Sequence, residues 1–432
     1  MFLLRPVKRR KGIVSVTAGH PELISAIASE IAFSGPIPFV RFMELALYHS
    51  QFGYYMRRPD GIGRERIGWS GDFYTSSDVF PMILGRTLAA QARQMDELLA
   101  CPTPFTIVEM GAGKGLLARD VLTAIHSQGD SFASRVRYIL IERSPAMREL
   151  QCRNLAPWLS KPGLVTWVEG LDGLAPETVT GLFLSNELVD AFPVHRIQVT
   201  AGRTDELYVD YRDGRFVDCP MPLSTTRIAE YLQRLQTTLP EGYRTEVNLH
   251  AMDWMEQVAQ QIDRGFVVTI DYGHTAQDLY GSERKNGTFL CYFQQLTNED
   301  PFMRVGEQDM TAHVDFSSLA AVGEEQGLHV TGFTNQMSFL MGLGVEEMIG
   351  ELEPESPEFQ AAIHLLRPDG MGSTFKVLIQ HKGLSRPELD GLKFKPFFGS
   401  ALAASRARGE RHEAMGQNLT SSRSPLAPSL QE

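Results

Sequence analysis

The sequence predicts an α/β fold: a parallel sheet with helices on both faces, preceded by a helical extension and interrupted by a β-rich insertion. Three observations predict it. Between residues 105 and 200, short apolar runs alternate with amphipathic stretches, in the order FTIVEM, LLARDVLTAI, YILIE, PAMRELQCRNL, LVTWVE, LFLSNEL. That alternation makes parallel strands covered by helices. The pattern resumes at GFVVTIDYG (265–273) and closes with LHVTGFT and TFKVLIQH. The first strand runs into three alternate glycines, Gly111, Gly113 and Gly115, which allow a tight turn into a helix and expose bare backbone to a ligand.

The remaining elements follow in chain order. Residues 1–20 form a basic, flexible N-terminus, in which MFLLRPVKRRKG contains no acid. Residues 21–100 form a helical extension with a covering loop: PELISAIASEIAFSG and FVRFMELALYH space their apolar residues helically (Phe39, Phe42, Met43, Leu47), and so does VFPMILGRTLAAQARQMDELL. Between these helices the Gly- and aromatic-rich QFGYYMRRPDGIGRERIGWSGDFYTSS has no periodicity and reads as a functional loop. Residues 101–200 hold the first part of the sheet. Within RIQVTAGRTDELYVDYRDGRFVDCP apolar and polar residues alternate around an Asp213-Gly214 turn, which predicts antiparallel strands, and residues 201–262 are assigned to an insertion or substrate lobe. Residues 263–385 return to the sheet and substrate-side elements. Residues 386–432 are small, polar and proline-bearing towards their end, which predicts a disordered tail.

Composition excludes several classes. A net charge of -11 over 432 residues supplies no positive field for nucleic acid. Cys101, Cys152, Cys219 and Cys291 form no CxxC pair, so neither a metal site nor a disulfide framework is expected. There is no apolar run of the roughly 20 residues a membrane span needs. The apolar part of the N-terminus precedes its charges, opposite to a secretory signal. A cytoplasmic protein is expected, with the mitochondrial matrix as the alternative. Oligomeric state is left open, with a homodimer among the options.

Spacing decides what the glycine turn holds. A P-loop fails, because Val108 stands where its first glycine should be and Gly115 follows Lys114. A GxGxxG dinucleotide fingerprint is weakened by Leu116 at its third glycine position. The remaining reading, ExGxGxG, resembles the first motif of class I S-adenosylmethionine methyltransferases at every position. The chemistry suits that zwitterionic ligand: Glu109 can receive an ammonium, and the amides of Gly111, Ala112 and Gly113 a carboxylate. Glu142, ending the second strand, can accept both ribose hydroxyls. Its 33-residue spacing from Glu109 exceeds the usual about 20, an excess that the loop HSQGDSFASR explains. On the plainer alternative the glycines only make a turn and Glu142 is a solvated strand end.

Seven segments, the glycine turn among them, narrow the resemblance: GPIPFVRFMELALYHSQFGYYM, GDFYTSSDVFP, VEMGAGKG, NELVDAFPVHR, TIDYG, GTFLCY and QDMTAHVDF. In this order they resemble the blocks of the MidA-like family across residues 30–380. Members include the mitochondrial protein-arginine methyltransferase that helps assemble respiratory complex I, and many bacterial relatives. The resemblance implies a class I (Rossmann-like) methyltransferase sheet with S-adenosylmethionine as cofactor. It also implies Gly71, Asp72 and Thr75 close to that cofactor, and Asn186 with Glu187 beside its methionine end. One departure concerns the acceptor: CYFQQ places Gln295 where the family often has histidine.

An arginine acceptor has a guanidinium pKa above 12 and must lose a proton during or after attack. Carboxylates can orient it bidentately. Glu187 and Asp190 leave the sheet at its carboxyl edge and are the candidates, although acids also suit a helix start. His313 is a candidate base, Asp271 a candidate cap, and Tyr54 and Tyr55 candidate walls of the acceptor pocket. A protein substrate is expected. A small-molecule O- or N-methyltransferase and a non-catalytic respiratory-complex assembly factor remain as alternatives.

Overall fold

The computed structural model describes residues 19–57, 67–68, 71–72, 81–235, 238–367, 370–395 and 402. The chain enters through α1 (Pro21–Ser34), β1 (Ile37–Pro38) and α2 (Phe39–Tyr48). Pro21 opens α1 at a position where its missing N–H costs nothing. Leu23, Ile27 and Ile31 then recur every four residues on the buried face. Both helices pack into a cluster with Phe216, Phe289 and Met310 rather than onto the main sheet. Helix α3 (Pro81–Leu98) behaves differently. Its Leu84, Leu88, Ala92 and Met95 join the core of the main sheet, so this helix, expected within the N-terminal extension, is part of the α/β layer.

That layer is built from β2 (Phe105–Met110), α4 (Leu116–Ser127), β3 (Val136–Ile141), α5 (Pro145–Asn154), β4 (Val165–Val168) and β5 (Val179–Asn186). A second sheet follows. Its strands β6 (His195–Thr200), β7 (Arg203–Arg212), β8 (Arg215–Met221) and β9 (Arg244–Val247) pair antiparallel, with β1 also paired to β7. Asp213 and Gly214 both take positive φ, 49° and 78°, the turn whose twist suits a two-residue hairpin. After α6 (Leu249–Gln261), β10 (Ile262–His274) rejoins the main sheet. A small sheet of β11 (Leu290–Phe293), β12 (Leu296–Asn298) and β13 (Asp309–Thr311) precedes β14 (Val314–Asp315), α7 (Phe316–Glu325), β15 (His329–Asn335) and β16 (Phe375–Lys382).

The main sheet has the order β15-β16-β10-β5-β2-β3-β4, with β14 beside the end of β10. Five neighbours from β10 to β4 are parallel, and β16 runs antiparallel between β10 and β15. The order reverses at β2, whose partners are β3 on one side and β5 on the other. Open α/β sheets hold ligands beyond the carboxyl ends of the strands at such a point.

Residues 386–395, expected within the tail, belong to the described and packed part of the chain. Leu389 is buried, and the amides of Asp390 and Gly391 donate to Gln94 and Gln91 of α3. Residues 396–401 and 403–432 lie outside the described residues, as do residues 1–18.

One glycine in the sheet is fixed by the approach of its neighbour. Gly181 of β5 has φ 144°, and a Cβ there would lie 2.3 Å from the Thr106 carbonyl oxygen of β2. Backbone in that region is nearly restricted to glycine. Gly181→Ala should therefore cost about 3 kcal/mol of stability, read as a lowered thermal midpoint.

Candidate active site

A cavity of about 660 Å³ opens at the reversal point of the sheet. Its floor is the turn between β2 and α4. Gly111, Gly113 and Gly115 all have positive φ, 80°, 50° and 77°, so the turn winds left-handed and leaves backbone rather than side chain facing the space. A Cβ on Gly111 would meet Leu188 Cδ1 at 2.8 Å. Glu109 closes the end of β2. It is 2% exposed and accepts from the Tyr138 hydroxyl at 2.5 Å. Burial raises its pKa to about 7, and the tyrosine bond only partly opposes this. A buried carboxyl with one neutral partner is short of a cation.

Glu142 follows β3. Its Oε1 accepts from the Ser144 amide at 2.7 Å and its Oε2 from Gln151 Nε2 at 2.9 Å. The same Gln151 amide donates to the Gly113 carbonyl at 2.8 Å, and Trp167 Nε1 holds the other end of Gln151. The glutamine thus ties the glycine turn to the second strand end. A carboxylate has about four acceptor positions, so Glu142 keeps acceptor capacity for a ligand hydroxyl. Burial pushes its pKa upward, against those hydrogen bonds.

The opposite wall comes from the end of β5. Asn186 and Glu187 line the cavity, with Asn186 Nδ2 donating to Glu187 Oε1 at 3.2 Å. Asn186 is 8% exposed, and its Oδ1 is buried without a hydrogen-bond partner. Such an orphaned acceptor fits a donor arriving with a ligand. Glu187 holds φ 53° although it is not glycine, a strained conformation that recurs at functional sites. Its amide donates to the Ile270 carbonyl of β10 at 2.9 Å. Tyr48, Tyr55, Phe192 and Trp254 supply aromatic wall. Among the lining residues the acids Glu44, Glu109, Glu142, Glu169, Asp172, Glu187 and Asp253 face only Lys114, Arg143 and His250 as bases.

The structure therefore brings Glu109, Gly111, Ala112, Gly113, Glu142, Asn186 and Glu187 around one cavity. It separates others from it. Asp190 is 6% exposed and does not line the space. Burial, with Asp271 and Asp309 nearby, raises its pKa far above the usual carboxylate range. Asp271 takes the capping role: its Oδ2 receives the amides of Leu188, Val189 and Asp190 at 3.2, 2.8 and 3.3 Å.

Asp72 also stands behind the wall. It accepts from the Tyr54 hydroxyl at 3.0 Å and the Gln294 amide at 2.9 Å, and its carbonyl takes the Gln295 amide at 2.8 Å. Asp72 and the adjoining Gly71 are not among the lining residues, and Thr75 lies outside the described residues. Gln295 thus sits in the β11–β12 turn, held by Asp72. His313 is a further correction. Its Nδ1 pairs with His274 Nε2 at 3.1 Å, its ring stacks on Tyr272, and burial lowers its pKa to about 4. It lines no part of the cavity. The neighbouring Asp315 caps α7 through the amides of Ser317 and Ser318. Of the two tyrosines, Tyr55 reaches the cavity and Tyr54 does not.

Sequence reasoning missed Tyr48, Trp254, Glu169, Asp172 and Asp309. Tyr48 and Trp254 sit on amphipathic helices, where an aromatic reads as core. Asp309 stands within a segment already singled out, but nothing local distinguishes it from a surface acid.

A family model described as "Putative S-adenosyl-L-methionine-dependent methyltransferase" matches residues 83–334, more than half of the chain. The protein arginine methyltransferase NDUFAF7 homolog, mitochondrial, of Drosophila melanogaster is 29% identical over 419 residues, covering 89% of this chain and 90% of that relative. Human protein arginine methyltransferase NDUFAF7, mitochondrial, is 26% identical over 407 residues, covering 85% and 86%. A Burkholderia thailandensis protein crystallised with S-adenosyl-homocysteine matches with a TM-score of 0.76 at 29% identity, covering 87% of this chain and 97% of that one. A native structure from the same organism matches at 0.74 and 30%, covering 88% and 98%. The curated relatives are named as mitochondrial, and nothing in these matches supports the cytoplasmic expectation.

Proposed function

From the premise that this chain belongs to the MidA-like family of S-adenosylmethionine-dependent methyltransferases, we propose that it methylates arginine on a protein acceptor. The observation carrying the proposal is Glu187 in the cavity wall beside the glycine turn, in a lining rich in acids. The relatives named as arginine methyltransferases support the same acceptor. Their mitochondrial names also support the mitochondrion as its compartment. A respiratory complex I subunit is the acceptor that the family resemblance implies.

The residues present fit the cofactor. Glu109 would take its ammonium, the amides of Gly111 to Gly113 its carboxylate, and Glu142 its ribose. Asn186 Oδ1, the orphaned acceptor, would take a further donor. When bound, the cofactor supplies an electrophilic methyl on a sulfonium. The protein then has to orient the acceptor nitrogen and exclude water. Glu187 would hold the guanidinium by charge-assisted bonds, while Tyr48, Phe192 and Trp254 cover its faces.

A direct test uses methyl-labelled S-adenosylmethionine and an extract of host cells lacking this protein. Label in protein, recovered as methylarginine after hydrolysis, is the expected result. Label confined to low-mass compounds would favour a small-molecule acceptor and overturn the proposal.

Glu109 also predicts a pH dependence. Its folded-state pKa of about 7 means that the carboxylate an ammonium needs is lost as pH falls. Affinity for S-adenosylmethionine should drop about tenfold from pH 8 to pH 6. In calorimetry the slope should vanish in Glu109→Gln.

A further inference from the structure

Arginine methylation releases one proton, because substrate and product guanidinium are both protonated at neutral pH. Glu187 is poorly suited to keep that proton. If it orients the cation by charge-assisted bonds, it must stay ionised while the nitrogen attacks. Asp190 does not line the cavity. His313 lies off the cavity. The proton therefore needs another route.

Tyr55 lines the cavity, and its hydroxyl donates to Asp309 Oδ1 at 2.6 Å. Asp309, on β13, is 2% exposed and does not itself line the cavity. Its contact with the acceptor space runs through the tyrosine. The Tyr55 ring is held between Tyr48, stacked at 5.5 Å, and Tyr54, edge-on at 5.1 Å. Tyr48 is in turn fixed by its hydroxyl bond to the Ala191 carbonyl at 2.9 Å. Tyr55 is thus a fixed residue of the cavity wall whose hydroxyl donates to a buried carboxylate.

Resting on the arginine reading above, we infer that Tyr55 and Asp309 form the proton exit of the transfer. The acceptor nitrogen forms its bond to the methyl carbon as the carbon–sulfur bond breaks, and the electron pair of that bond stays on sulfur. The nitrogen gives its proton to the Tyr55 oxygen, and the tyrosine passes its own to Asp309. After product leaves, the proton returns through the same hydroxyl to solvent in the cavity. Tyr55 is the group that touches substrate, and Asp309 acts through it as a positioning residue.

The surroundings give Asp309 a suitable affinity for a proton. Burial raises its pKa to about 6, the Tyr55 bond lowers it, and Asp72 raises it. Asp190, Tyr48, Tyr292 and Cys291 are the other titratable groups facing it. Burial raises the pKa of Tyr48, Tyr292 and Cys291, which stay neutral near pH 7. A general base works best when its pKa lies near the operating pH.

The test measures initial rates of label transfer into protein from methyl-tritiated S-adenosylmethionine, with full-length protein and extract of host cells lacking it, from pH 5 to 8.5. Saturating cofactor removes the Glu109 titration from the profile. Wild type should show a rate rising through about pH 6. Asp309→Asn should be about 10²-fold slower and lose that limb, with cofactor affinity unchanged by calorimetry. Tyr55→Phe should lose the same limb, and it decides the matter if Asp309→Asn fails to bind cofactor. If the wild type labels protein but Tyr55→Phe keeps both its rate and its limb, the proton exit is wrong and the arginine reading stands. If the wild type labels no protein, both fall together.

Discussion

Glu187→Gln is expected to lower kcat by about 10²- to 10³-fold while leaving the Kd for S-adenosylmethionine within about threefold. The substitution keeps the shape of the side chain and removes its charge. The conformation of Glu187 is set by the backbone around it: φ is 53°, and its amide is tied to Ile270 of the neighbouring strand. Glutamine should keep that placement. What it cannot keep is the pair of charge-assisted bonds that hold a guanidinium and aim one nitrogen. Single-turnover labelling with saturating cofactor separates this step from binding, and an unchanged rate would remove Glu187 from the reaction. Rescue of a deletion strain by Glu187→Ala, which also loses the side chain's reach, would favour the non-catalytic assembly role instead.

The parts of this site that sequence revealed are those whose chemistry is local. ExGxGxG is legible because a left-handed turn needs glycine at fixed spacing, and Gly111, Gly113 and Gly115 all take positive φ. Glu142 is legible because strand ends converge at the carboxyl edge of a parallel sheet. The β10, β15 and β16 strands are legible as apolar runs, although their pairing order is set by the antiparallel insertion of β16. Asp190, in contrast, looked equivalent to Glu187. Only the fold shows that the amides of residues 188 to 190 wrap around Asp271 and that Asp190 does not line the cavity. His313 failed for a related reason. Its neutral-pH chemistry is a property of the free side chain, and burial beside His274, Arg284 and Lys376 removes it. Asp309 was invisible because its partner, Tyr55, is 254 positions away.

Glu142→Ala is expected to weaken S-adenosylmethionine binding by about 10²- to 10⁴-fold. A hydrogen bond to a charged group contributes about 1.5–3 kcal/mol, and the proposal asks two of them of this carboxylate, one for each ribose hydroxyl. Glu142 lines the cavity, with Ser144 and Gln151 bonded one to each of its oxygens. Because the ribose is common to substrate and product, S-adenosylhomocysteine should weaken by the same factor, which distinguishes this role from one at the methyl. Glu142→Gln should fall between, since it keeps one oxygen acceptor and the contact to Ser144. The variant also leaves Gln151 without one partner, so a loosened glycine turn could mimic the effect. Gln151→Ala is the control: it removes the tie to Gly113 but leaves the carboxylate, and should cost no more than about tenfold. A larger loss in Gln151→Ala than in Glu142→Ala would assign the effect to the turn and end the ribose role.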